Sequence, residues 1–300
     1  MENQKLNFQE VQKKQSPKEL FANLEKYTDM VVKHIQPSIL LTGGPGLGKT
    51  YMVNQRLKHY GLKNGIDYII VKGRTTGAGL FRVLYENSDR IIVFDDCDSV
   101  FDDKDGVNLL KAALDSYDTR TISYIGAQSL RDQNGEMIPS QFNFTGQVIF
   151  ISNKSQKSID SAIRSRSFTF DLELTPEQLL ERMQDKLEEM EPRVPMKEKQ
   201  AALNCLKQVH AKFEGVELNF RSLVKAIRIK QAGFDNWHMM VAEQCIDPNV
   251  VSKKAKAVAA TAGQPTKAEL LAEKAKGKTW GTIEKELGIS GHMRLKTLRA

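Results

Sequence analysis

The sequence predicts an α/β protein: a three-layer αβα unit on a parallel sheet, then an all-helical region, then a small helical unit at the C-terminus. Three observations predict it. Short apolar runs of β type alternate with helical patterns as far as residue 174. Strand signals then stop, and helical periodicity continues alone. A low-complexity stretch rich in Ala and Lys sets the last helical pattern apart.

Residues 16–35 carry Leu20, Phe21, Leu24, Tyr27, Val31 and Ile35 at helical spacing behind Pro17, which suits a first helical turn. Ser38 to Thr42 is an apolar run long enough for a buried strand, and a helical pattern runs from Tyr51 to Tyr60. "DYIIVKG" (67–73) reads as a second strand and "GLFRVLYEN" (79–87) as a helix. "RIIVFDD" (90–96) is a third strand, with a helix over 106–116 behind it. "QVIFISN" (147–153) and "SFTFDLEL" (167–174) complete the strands. Between 119 and 146, Asn134-Gly135 flanked by β-type residues signals a hairpin. From Thr175, "TPEQLLERMQDKLEEM" opens with a Thr cap, Pro at the first helical position and Glu177 in the first turn. Helical patterns follow over 197–213, 219–232 and 235–245. The expected organisation is an αβα domain with its N-terminal helix over 1–174, a helical domain over 175–247, a flexible linker over 248–265 broken by Gly263 and Pro265, and a helical unit over 266–300.

Composition bounds the class. Over 300 residues, 40% apolar and 27% charged content is ordinary for a soluble globular chain. No apolar run approaches the roughly eighteen residues of a membrane span, and the N-terminus is polar rather than signal-like. Cys97, Cys205 and Cys245 lie outside any disulfide or zinc spacing. The expected setting is cytoplasmic, with no membrane partner. The charge of +7 is unevenly placed: residues 249–300 hold eleven Lys/Arg and four Glu, which accounts for all of it. That points to a polyanion at the C-terminal end.

The chemistry begins at "GGPGLGKT", Gly43, Gly44, Pro45, Gly46, Leu47, Gly48, Lys49 and Thr50, set between a strand and a helix. The glycines let successive N–H groups face phosphate oxygens, and the helix N-terminus adds its dipole. Lys49 is placed to reach β- and γ-phosphates, and Thr50 to put its hydroxyl on Mg²⁺. "IIVFDD" ends a strand in Asp95, suited to hold Mg²⁺, and Asp96, suited to orient or deprotonate a water. Asn153 ends a later strand, Arg164 and Arg166 precede the next, and Arg221 opens a helix downstream.

This ordered set resembles the AAA+ ATPase family over about residues 16–247. Gly43–Thr50 matches the family's Walker A motif and Asp95-Asp96 its Walker B, where Asp-Glu is the commoner pair. Asn153 matches its first sensor, Ser165-Arg166 its arginine finger, with Arg164 as the alternative, and Arg221 its second sensor. The resemblance implies ATP and Mg²⁺ as ligands, hydrolysis of ATP to ADP and phosphate, residues 175–247 as the lid, and a ring or spiral homo-oligomer in which the finger serves the neighbouring subunit.

Substrate class rests on three further stretches. The loop "KGRTTGAGL" offers Lys72 and Arg74 and no aromatic grip for a polypeptide, so 72–74 suits phosphates. The 119–146 hairpin resembles one placed before the first sensor in DNA-acting relatives. "TWGTIEKELGIS" and the helix expected over 290–299 resemble a helix-turn-helix, with Ser290, His292, Arg294, Lys296 and Arg299 facing a major groove. The expected function is an oligomeric ATPase acting on DNA, as a replication or helicase-loading factor with a helicase as protein partner. An ATP-gated DNA-binding switch and a protein-remodelling chaperone whose C-terminal unit docks a partner are the alternatives.

Overall fold

The computed structural model describes residues 15–117, 119–126, 129–246 and 267–287. The chain divides into two compact units, 1–207 with 218–241 and 208–217 with 242–300.

The first unit opens with α1 (Pro17–Val32), where Ser16 and Glu19 form a capping box around the first turn. It stops three residues short of the expected Ile35, because His34 takes φ +59° and turns the chain into the first strand. Then come β1 (Ser38–Gly43), α2 (Lys49–His59), β2 (Tyr68–Lys72), α3 (Gly77–Glu86), β3 (Ile91–Asp95) and α4 (Lys104–Ala113). After a hairpin, β6 (Gln147–Ile151), α5 (Ser161–Arg166) and β7 (Phe168–Leu172) complete the sheet.

Five parallel strands lie in the order β2-β3-β6-β1-β7. Strand alternation sorts the core between two faces. Leu40, Ile92, Phe94, Val148 and Phe150 point to one face, where α3 and α4 bring Leu80, Phe81, Leu84, Leu109 and Leu110. Ile39, Leu41, Ile91, Val93, Ile149 and Ile151 point to the other, covered by α1 and α2 through Leu20, Phe21, Leu24, Val53 and Leu57. This is the predicted αβα sandwich. Phe150 is fully buried, stacks on Phe94 at 5.4 Å and meets Phe101 at 5.3 Å. Phe150→Ala is therefore expected to cost about 3–5 kcal/mol, read as a lower urea midpoint; a loss under about 1 kcal/mol would mean that this layer is not a packed core.

The excursion before β6 is a hairpin, as Asn134-Gly135 signals. Its strands are β4 (Arg120–Ser123) and β5 (Gln141–Phe144), paired antiparallel. The turn itself is closed further out, where Gly135 takes φ +86° and Arg131 bridges Met137. Past β7 the described residues form α6 (Pro176–Lys186), with Thr175 and Gln178 in a capping box, α7 (Met196–Lys212), α8 (Phe220–Gln231) and α9 (Trp237–Cys245), with α7 and α9 each running from the first unit into the second.

In the second unit, α10 (Lys267–Ala275) and α11 (Trp280–Leu287) bury Leu270 and Ile283. Glu273 binds Lys276 and Lys278 at their ammonium groups, which pulls its carboxyl down to about 2. The linker and the helix expected over 290–299 lie outside the described residues. Among the described residues no helix is long and apolar enough to cross a membrane.

Candidate functional site

The site forms where β1, β3 and β6 end on one edge of the sheet. β1 is buried along its apolar length and delivers the chain into the glycine loop. Gly43 takes φ +136°, and a Cβ there would stand 2.4 Å from the Leu172 carbonyl oxygen of β7, so only glycine fits. Gly46 (φ +70°) and Gly48 (φ +94°) complete the bend. Gly48 caps α2 with no side-chain hydrogen bond, which leaves the first N–H groups of the helix for a ligand. The donor set, three left-handed glycines running into a helix N-terminus, is the chemistry of a phosphate cradle.

Lys49 is 5% exposed and anchors a polar chain across the strand ends. Its ammonium donates to the carbonyls of Gly43 (2.7 Å) and Gly44 (2.8 Å) and to Asn153 Oδ1 (3.0 Å). The Asn153 amide in turn donates to Asp96 Oδ1 at 2.7 Å. Burial pushes the Lys49 ammonium below its usual range; Asp96, Asp95 and Asp171 oppose that shift and Arg221 adds to it. Arg221 itself is exposed on α8.

The second pair is Thr50 and Asp95. The Thr50 hydroxyl donates to Asp95 Oδ1 at 2.8 Å. A hydroxyl oxygen beside a carboxylate, next to a phosphate cradle, is a hard-oxygen set that suits Mg²⁺, which takes its other ligands from phosphate and water. Asp95 is buried at the end of β3, while Asp96 is exposed with φ +55°, a left-handed conformation that Asp tolerates better than most residues.

Gly43–Thr50, Asp95, Asp96 and Asn153 are thus brought together. Arg166 is not. It lies two residues before β7, at the opposite end of the strands, and the register pairs Phe168 with Ile39 but Leu172 with Gly43. Roughly 20 Å of strand separates it from the glycine loop of its own chain. Its guanidinium donates to Ala162 O at 3.1 Å, while its buried Nε meets no hydrogen-bond partner among the described residues. Arg164 donates from Nε to Ile159 O at 3.1 Å.

Three features were not foreseen from the sequence. Lys72 closes an ion pair on Asp95 Oδ2 at 2.8 Å. The Phe220 N–H donates to the Gly46 carbonyl at 2.9 Å, and buried Asn219 packs so closely that a Cβ at Gly46 would lie 2.9 Å from its Cγ. A cavity of about 680 Å³ opens beside the loop, bordered by Leu47, Gly48, Tyr51, Arg182 and Phe220. The Arg182 guanidinium stands 4.1 Å over the Phe21 ring, and burial lowers its pKa.

The model of the AAA family, ATPases associated with various cellular activities, matches residues 39–176. A protein of Enterobacteria phage T4, described as an uncharacterized 36.7 kDa protein in the nrdC-mobD intergenic region, is 33% identical over 161 residues. The match covers 49% of each chain, so this chain spans about half the length of that relative. Among solved structures, the Holliday junction branch migration motor RuvB of Thermotoga maritima gives a TM-score of 0.46 at 16% identity, covering 80% of this chain and 69% of that one. A variant of the same RuvB gives 0.46 at 15% identity, covering 91% and 82%. The match to the AAA family of ATPases thus falls on residues 39–176, the stretch that holds the glycine loop, both aspartates and Asn153.

Proposed function

We propose that the chain hydrolyses ATP as an oligomer and uses the cycle to act on DNA, as a replication or helicase-loading factor. The observation that carries the ATPase reading is the continuous link Lys49–Asn153–Asp96 beside the Thr50–Asp95 pair. In this reading the N–H groups of Gly46–Thr50 hold the phosphates, and Lys49 turns from the loop carbonyls to the β- and γ-oxygens. Thr50 and Asp95 would hold Mg²⁺, which would supply neutralising charge beside those oxygens. Asp96 accepts the proton of the attacking water and Asn153 aligns it. Arg221 reaches the γ-phosphate from α8, and the cavity beside Tyr51 and Phe220 receives the base. Arg166, remote from its own loop, completes the site of a neighbouring subunit in a ring or spiral.

The DNA reading is supported by the excess positive charge of residues 249–300 and by the helix-turn-helix pattern there. The 119–146 hairpin, with Arg131 near its turn, and Arg74 in the 72–74 loop are further candidate contacts. Residues 175–247 act as lid and 266–300 as the DNA-binding unit. ATPase rate measured with and without single- and double-stranded DNA, over a range of protein concentration, tests the whole. Stimulation by DNA and a rise in specific activity with concentration are expected; a rate indifferent to DNA favours the chaperone alternative.

A chain truncated after Pro248 is expected to keep basal ATPase and lose DNA stimulation. Binding by the full chain should fall steeply with salt, each neutralised phosphate adding about 0.9 to the log–log slope on duplex DNA. Full stimulation of the truncated chain would move the DNA contact to the hairpin or the 72–74 loop.

A further inference from the structure

We propose that Lys72 is a resident counter-cation for Asp95 that competes with Mg²⁺, and so sets the Mg²⁺ concentration at which nucleotide is held. The inference rests on the ATP–Mg²⁺ reading of the site and assigns a role to a residue outside its motifs.

The geometry is specific. Lys72 is the last residue of β2 and stands in register with Asp95, the last residue of β3. β2 is an edge strand, where a lysine ordinarily serves to keep the edge solvated and unpaired. Here the ammonium turns inward instead. It sits 2.8 Å from Asp95 Oδ2, on a carboxylate whose side chain is 4% exposed, while the lysine side chain is 64% exposed. Thr50 already donates to the other oxygen, Oδ1. Both oxygens of the acid are therefore taken, one by the hydroxyl that Mg²⁺ would bind and one by a cation.

A divalent ion at Thr50 and an ammonium on the same carboxylate repel each other. Asp95 is held at the buried end of β3, an interior strand between β2 and β6. Lys72 can move: its four-carbon stem runs through solvent, and its head rehydrates readily. Mg²⁺ thus enters against the ion pair, and part of its binding free energy goes into releasing Lys72.

The test uses the full chain and Lys72→Gln, Lys72→Met and Lys72→Arg. Mg²⁺ is titrated against binding of a fluorescent ADP analogue, with no turnover required. In the Gln and Met variants the half-saturating Mg²⁺ concentration should fall about 3- to 10-fold, while Arg should stay within about twofold of the parent. An unchanged or raised half-point in both neutral variants overturns the proposal. So does a loss of nucleotide affinity equal at all Mg²⁺ concentrations, which is the mark of a merely structural lysine. Should the parent chain bind nucleotide with no dependence on Mg²⁺, or should Lys49→Ala bind as well as the parent, the reading of the site itself fails, and the role of Lys72 with it.

Discussion

Lys49→Ala is expected to abolish tight ATP binding, with nucleotide affinity down at least ~100-fold, because it removes the buried charge that would face the β- and γ-phosphates. The lysine is held by two loop carbonyls and Asn153, so its loss also frees the Gly43 and Gly44 carbonyls to face the phosphates as uncompensated acceptors. Asp96→Asn is the contrasting case. Asparagine is nearly isosteric, tolerates the left-handed backbone at this position, and can still pair with the Asn153 amide. It cannot take a proton from water. ATP binding should survive while hydrolysis falls about 10²–10⁴-fold. Filter binding and single-turnover hydrolysis on the two variants separate these outcomes. Equal loss of nucleotide affinity in both would show that the division of labour between loop lysine and strand-end acid is wrong.

Arg166→Ala should lower ATPase activity about 10³–10⁵-fold while ATP binding persists, the range set by supplying an arginine to phosphoryl-transfer charge from another subunit. The placement of Arg166 beyond the far end of β7 makes the sharper claim testable. Mixed with Asp96→Asn subunits, the Arg166→Ala chain should regain turnover, since one partner brings the acid and the other the arginine to a shared interface. Mixed oligomers that form, as judged by affinity co-purification, yet show no turnover would exclude that exchange. Arg164, whose Nε is bound to Ile159 O, is the alternative finger and needs the same mixing assay.

What the sequence made legible is what the chain makes locally. The glycine loop carries its own backbone demands, and each strand-end acid or amide is announced by the apolar run before it. The hairpin turn was legible for the same reason, since Asn134-Gly135 needs no distant partner. Element ends were less so. The helix expected over 106–116 runs instead from Lys104 to Ala113, because Asp103 captures the Gly106 N–H and starts it early. β2 and β3 end before Gly73 and Asp96, whose positive φ takes them out of the ladder. Least legible were pairings that depend on strand order. That Lys72 faces Asp95 follows only once β2 is known to lie beside β3 in parallel register. The approach of Asn219 to Gly46 joins residues 173 positions apart, and no local pattern encodes it.

The hydrogen bond from the Phe220 N–H to the Gly46 carbonyl gives the glycine loop a lever. Asn219 caps α8 from within the same contact, so the first turn of that helix is clamped at both its side chain and its backbone. A helix of 12 residues is about 18 Å long, and a tilt of about 5° imposed at its clamped end sweeps the other end through about 1.5 Å. A tightening of the loop that tilted α8 by that amount would be felt at Gln231 as a shift of about 1.5 Å. Gly46 is the fulcrum, and a side chain there would jam it against Asn219.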